Sequence, residues 1–175
     1  MFSLPILSQV FINGLSLSSI YILVALGFTL LFGIMRVVNF AHGAFAMLGG
    51  YALYYLYGVY GLPYPVAVIG GALVVALLAL VLERLVFRWF YHKMFQSMIA
   101  LLGLNMAMVY TAVLIWDVNE RSLPAVTDTM LDVHGVLLPM DRLIIMGIAV
   151  VVLGLFWFFV THTRQGLAMR AAALD

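Results

Sequence analysis

Cysteine is absent from the 175 residues, which excludes a disulfide framework, a thiolate metal site and a thiol nucleophile. Charge is nearly as scarce. Eight Lys and Arg stand against seven Asp and Glu, 9 % of the chain together, where an ordinary soluble domain carries about a quarter. A water-soluble fold of this size cannot clothe itself with so few charges. The near-neutral balance offers no footprint for nucleic acid and no strongly basic face for a membrane surface. Lysine occurs once, as Lys93 in a loop, so no lysine is placed for a buried Schiff base. There is no GxxxxGK[ST] phosphate loop, hence no expectation that this chain itself uses ATP. No HExxH or comparable ligand spacing occurs, so no metal site is expected. The amino terminus lacks the basic stretch of a cleavable signal, and its apolar run is too long for one. It reads as a first membrane span that stays.

What is abundant is apolar sequence, 66 % of the chain. The charges fall in clusters at Arg36, Glu83 to Lys93, Asp117 to Arg142 and Arg164 to Asp175. Between them lie uncharged stretches of spanning length, since about 20 apolar residues cross a bilayer. Spans are expected near 9–34, 38–57, 65–83, 96–116 and 142–161. Val37 to Leu82 is too long for one helix, and GVYGLPYP (58–65) divides it because Gly and Pro together favour a turn. All five prolines fall at proposed ends or in loops, as helix interiors require. A β-barrel would alternate apolar and polar residues, and these runs are apolar on every side. The expected fold is therefore all-α, a polytopic transmembrane helical bundle of about five spans over a single domain, residues 1–175.

Basic residues orient it. The 84–95 loop carries Arg84, Arg88 and Lys93, and the 162–175 tail carries Arg164 and Arg170. Segment 117–141 instead holds Asp117, Glu120, Asp128 and Asp132 against a single arginine, Arg121. The excess of Lys and Arg puts the first two inside and the third outside, with the amino terminus outside and the carboxyl terminus inside. Trp89, Trp116 and the tyrosines of YALYYLYGVY (51–60) suit the interfacial aromatic belt. Glu83, Arg84 and Arg88 end the third span, where their plain role is to snorkel to the inner interface; docking a cytosolic partner is the alternative. The 117–141 segment is long for an idle connection. It reads either as a solvated loop or as a surface for an external partner.

Met35 to Tyr51 reads MRVVNFAHGAFAMLGGY, a polar knot in sequence otherwise suited to hydrocarbon. Polar groups at membrane depth are costly and usually line a bundle interior or a water-filled path. Asn39 and His42 are three apart and would share a face if helical. With Gly43 they form the candidate helix break beside a solute path. The plain alternative is that they bond neighbouring backbone and merely fix that break. Gly27, Gly33, Gly49 and Gly50 are candidates for close helix packing, with Ala46 to Gly50 a small-xxx-small step. The tail is a helix-forming mixture, expected to form a short helix over 164–173, and is either the simple exit of the fifth span or a dock for a soluble motor. A haem-binding redox subunit needs paired histidines in facing spans, and only His42 sits at plausible depth; His92, His134 and His162 fall in loops or at an end.

SIYILVALGFTLLFGIMRVVNFAHGAFAMLGGY (19–51) closely resembles the amino-terminal signature of permeases from high-affinity branched-chain amino acid ABC transporters. LERLVFRWF (82–90) resembles that family's Glu-Arg segment after the third span, and THTRQGLAMRAAALD (161–175) the start of its cytoplasmic coupling region. NFAHG (39–43) is fairly specific to the group. Two departures stand out. Trp89 follows Arg88 where the family usually has Arg-Pro, and family members are longer, with further spans, so that the chain resembles the amino-terminal part of a permease. The resemblance implies an inner-membrane subunit that translocates branched-chain amino acids without making or breaking bonds, and binds no cofactor itself. Its implied partners are the lipid bilayer, a second homologous permease, two cytosolic ATP-binding subunits and a periplasmic solute-binding protein. It also implies that Arg164, Gly166 and Arg170 couple the chain to the ATPases. A urea or amide permease of the same superfamily, or a non-transporting redox or structural membrane subunit, are the competing expectations.

Overall fold

The structure is a computed structural model that describes residues 4–35, 37–90, 93–127, 129–133 and 136–174. Arg36, His92, Asp128, His134 and Asp175, singled out above, lie outside the described residues. The elements run α1 (Leu4–Met35), α2 (His42–Leu53), a π-helical stretch (Tyr54–Val59), α3 (Tyr64–Leu85), a 3-10 turn (Phe87–Trp89), α4 (Met94–Trp116), β1 (Met130–Val133), β2 (Val136–Pro139), α5 (Met140–His162) and α6 (Arg164–Leu174). The chain divides into two compact units, residues 1–36 with 125–175, and residues 37–124.

In the first unit α1 packs on α5, and α6 packs on both. At 32 residues, α1 is about 48 Å long, more than the roughly 30 Å of a hydrocarbon core. It has no polar face, as expected of a helix surrounded by apolar material. Ser16 of α1 and Ala149 of α5 are among the few buried side chains. Within the expected 117–141 loop, β1 and β2 form an antiparallel hairpin with Leu131 opposite Leu138. Short, mostly apolar strands inside a segment judged by its charges explain why the sequence did not announce them. Asp141 Oδ1 accepts the Thr127 backbone N–H at 3.1 Å, fixing the chain ahead of the hairpin to the first turn of α5.

In the second unit α2 packs on α3 and α4. The α2–α3 seam is made of small residues. Ala44 and Ala67 are buried, Gly71 lies against Leu53 and Ala52, and Gly49 sits 3.8 Å from Val75 measured from where a Cβ would be. Such residues let helix axes approach closely. Ser97, Leu101, Met108 and Ala112 bury one face of α4, and the Ser97 hydroxyl lies 2.8 Å from Phe90 O and 3.1 Å from Lys93 O, tying the start of α4 to the turn before it. The turn into α3 uses Gly61 in the left-handed region (φ 67°), which glycine adopts without steric cost. Pro63 then caps α3.

Among the described residues, four helices are long and apolar enough to cross a membrane: Ile6–Gly33 within α1, α3, α4 and α5. The expected span 38–57 is not among them, because α2 is only 12 residues long before it widens into the six-residue π-helical stretch. The apolar surface of the four is mostly unburied, with 6 % of the key window buried in α1 and α5 and at most 17 % in α4. Exposed apolar area on that scale marks contact with lipid or with other protein.

Candidate functional site

The polar knot is built by Asn39. Its Oδ1 accepts the Ala41 backbone N–H at 3.1 Å, and its carbonyl accepts the His42 N–H at 3.1 Å. This side-chain-to-backbone turn is a conformation that Asn favours over helix, so Asn39 stops the chain from running α1 on into α2. Ala41, fully buried, caps α2. Asn39 stands outside the helix and His42 is its first residue, so the condition for a shared helix face is not met, and the residues fall where the chain is broken between α1 and α2. The residues are joined instead through backbone: positions 38 and 39 lie in no helix or strand, and the turn, rather than a helical stripe, is the feature that brings them together.

The glycines separate into two groups. Gly49 lies on the α2–α3 seam, whereas Gly33, Gly43 and Gly50 have open space where a Cβ would stand. Gly27 is partly buried in α1. No steric demand accounts for glycine at 33, 43 or 50. Gly71 and the buried Ala44 and Ala67 belong to the same seam, and small residues at helical spacing were the signal for them.

Gly50 opens onto a cavity of about 370 Å³, bordered by Met47, Tyr51 and Tyr54 on one side and by Glu120, Arg121 and Leu123 on the other. Its wall is rigid. Tyr51 stacks on Trp116 with ring centroids 4.2 Å apart and planes 15° from parallel, and Trp116 Nε1 donates to the Tyr55 hydroxyl at 2.8 Å. The segment that closes the cavity leaves α4 through Asp117, whose backbone (φ 65°, ψ 178°) lies in a region otherwise nearly reserved for glycine. The Asp117 carboxylate accepts from the Val118 N–H at 2.7 Å and from Asn119 Nδ2 at 3.1 Å, holding that turn. Arg121 Nη2 donates to the Trp116 carbonyl at 3.4 Å, and its guanidinium lies 6.0 Å from the Tyr54 ring centroid. The sequence showed these tyrosines and charges only as belt and loop. The adjacent Glu120 and Arg121 just past Trp116 were the available signal.

In the first unit the corner between α5 and α6 is one residue long. Thr163 ends α5 and begins α6: its hydroxyl donates to the Phe159 carbonyl at 2.6 Å and accepts the Gly166 N–H at 3.0 Å. The second bond is an N-cap, satisfying a helix-start donor that would otherwise lack a partner. Gly166 is buried, and a Cβ there would stand 2.5 Å from the carbonyl oxygens of Phe159 and Val160. Arg170 Nη2 reaches back to the Thr161 carbonyl at 3.4 Å, a basic group at a helix C-terminus where its charge is favoured. Arg164 is exposed. The three tail residues therefore occupy one short helix, with Gly166 on its packed side. An apolar cavity of about 540 Å³ lies between Leu26, Leu30 and Gly33 of α1, Phe156 and Val160 of α5, and Met169 of α6.

Several apolar, largely unburied helices, a polar turn between them and a polar helix hinged on the last define a multi-pass membrane protein. Residues 10–175 match the family described as branched-chain amino acid transport system, permease component, and the chain belongs to that family. It is similar to the high-affinity branched-chain amino acid transport system permease protein BraD of Pseudomonas aeruginosa, 25 % identical over 181 residues that cover 95 % of this chain and 59 % of the relative. A stretch of 45 residues is 49 % identical to the permease protein LivH of Salmonella typhimurium and of Escherichia coli, covering 26 % of this chain and 14 % of those proteins. The chain spans less than two thirds of the length of these relatives. No solved structure matches it significantly.

Proposed function

We propose that the chain forms membrane-spanning permease structure of a bacterial ABC importer, carrying leucine, isoleucine or valine across the inner membrane. The observation that carries this reading is the family match over residues 10–175. A periplasmic binding protein delivers the solute, a second homologous permease completes the pathway, and two cytosolic ATP-binding subunits drive it. The basic residues around 84–93 and 164–170 face the cytoplasm in this reading, and the acidic 117–141 segment faces outward. Asn39, His42 and Gly43 lie beside the path at the start of α2. Arg164, Gly166 and Arg170 belong to the helix that meets the ATPases, and the one-residue corner at Thr163 makes α6 suited to pass a displacement to α5. Nothing in the solute is bonded or broken; the partners' ATP cycle biases which side is open.

Uptake measurements test the reading. In cells stripped of other branched-chain uptake, expression together with cognate permease, ATP-binding and solute-binding subunits is expected to give leucine accumulation that depends on the binding protein and on ATP. Accumulation of urea or short amides in place of leucine reassigns the solute. An assembled, ATP-hydrolysing complex that moves neither overturns the reading.

A further inference from the structure

We infer that the cavity between α2 and the 118–123 segment is a docking site for a free α-amino acid with an apolar side chain, a station the solute occupies on its way into the permease. The inference rests on the proposed function and deepens it by assigning residues to the solute.

The chemistry of the lining fits one ligand class. An α-amino acid presents a carboxylate, an ammonium group and, for the aliphatic members, a branched hydrocarbon. Arg121 offers a carboxylate several donors beyond the single N–H it directs to Trp116, and guanidinium is the residue type best shaped for bidentate carboxylate recognition. Glu120, lining the same cavity, supplies the opposite charge for the ammonium. Met47 and Leu123 supply apolar walls. A volume of about 370 Å³ falls in the small-molecule range of roughly 300–1,000 Å³. An isolated anion or cation would leave one of the two charges unmatched, and a plain hydrocarbon both.

Three further features are accounted for at once. Gly50 has no close neighbour to explain it, but a side chain there would project into the space assigned to the ligand. Asp117 holds a strained backbone that a non-glycine residue rarely adopts, and strain of that kind is retained where the structure around it has a use; here it turns the chain so that residues 118–123 close the cavity. The stacked Tyr51–Trp116 pair and the Trp116–Tyr55 hydrogen bond fix one wall before any ligand arrives, which lowers the ordering cost of binding.

The experiment uses the intact transporter in nanodiscs, with leucine as probe and Trp116 emission as a readout independent of the binding protein. Leucine is expected to change the emission saturably. The change is expected to vanish in Trp116→Phe, and to need about ten- to a hundredfold more leucine in Arg121→Gln, since a charge-assisted hydrogen bond is lost. Arg121→Lys is expected to fall between. Gly50→Leu, whose Cβ would meet no atom within 4 Å and whose longer side chain would enter the cavity, is expected to abolish the response and slow uptake. Isoamylamine, which lacks the carboxylate, is expected to give no response. Leucine uptake and emission unchanged in both Arg121→Gln and Gly50→Leu, in a transporter that carries leucine, overturn the site while leaving the permease reading in place. A wild-type transporter that assembles, hydrolyses ATP and moves no branched-chain amino acid overturns both.

Discussion

Replacing Gly166 by alanine sets two physical effects against each other, and the sign of the result decides between them. Helix propensity alone favours the change by up to about 1 kcal/mol, because glycine is a poor helix former. Packing opposes it. The new Cβ would stand 2.5 Å from the carbonyl oxygens of Phe159 and Val160 and 2.6 Å from Val160 Cα. These are backbone atoms of the neighbouring helix, so no side-chain rotation relieves the contact. Ordinary contact begins near 3.4 Å, so α6 has to move away from α5 by about 1 Å. That displacement stretches the Thr163 cap, whose two bonds measure 2.6 and 3.0 Å. Overpacking costs about 1–3 kcal/mol and a lost cap about 0.5–2 kcal/mol, so the expected net change is a destabilisation of about 1–3 kcal/mol. For a protein of this size each kcal/mol moves the unfolding midpoint by about 2–4 °C. The control is Gly103→Ala in α4, where nothing lies within 4 Å and propensity acts unopposed. Thermal unfolding of the detergent-purified protein is expected to give a midpoint several degrees lower for Gly166→Ala and equal or higher for Gly103→Ala. A midpoint for Gly166→Ala at or above that of the unsubstituted protein refutes the steric account of the corner.

Two pairs of substitutions, at Asn39 and at Asp117, address the second unit. Asn39→Ala removes the acceptor of the Ala41 N–H and is expected to cost about 0.5–1.5 kcal/mol, whereas Asn39→Asp keeps an acceptor and is expected to lie close to the original in the same unfolding assay; equal losses in both would show that the turn does not depend on that bond. Asp117→Gly relieves the backbone strain at φ 65° but gives up the bonds to Val118 and Asn119, so it is expected to be less harmful than Asp117→Ala, which loses the bonds and keeps the strain. A hydrogen-exchange comparison of residues 117–121 checks the order, and Ala protecting better than Gly contradicts it.

Fold class was readable from composition because scarcity of charge and length of apolar run are one-dimensional properties. Four of the expected spans correspond to helices whose limits lie within a few residues of the charge clusters, and GVYGLPYP is the turn its Gly and Pro imply. The stretch 38–57 reads as one span only if helix is assumed throughout. The Asn39 turn delays the helix to His42 and the π-helical stretch ends it, and neither has a hydropathy signature. The hairpin escaped notice because four-residue strands carry too little periodicity to be seen. For the site, residue type gave the polar knot and the tail, and chemistry gave the candidates. What it could not give is which glycine is pressed and which is free. Gly166 is held against backbone while Gly33, Gly43 and Gly50 are not, and that distinction exists only in three dimensions.

The π-helical turn at Tyr54–Val59 has a consequence for how sequences of this kind can vary in length. A hydrogen bond such as that from Tyr60 N to Tyr55 O, 2.8 Å long, encloses one residue more than an α-helical bond. Excising a single residue from YYLYGV turns the wide loop into an ordinary one and leaves both ends of the chain still aimed as they were. The same excision inside α3 rotates everything beyond it by about 100°. A single-residue gap is therefore expected to be absorbed at this stretch more readily than inside α3.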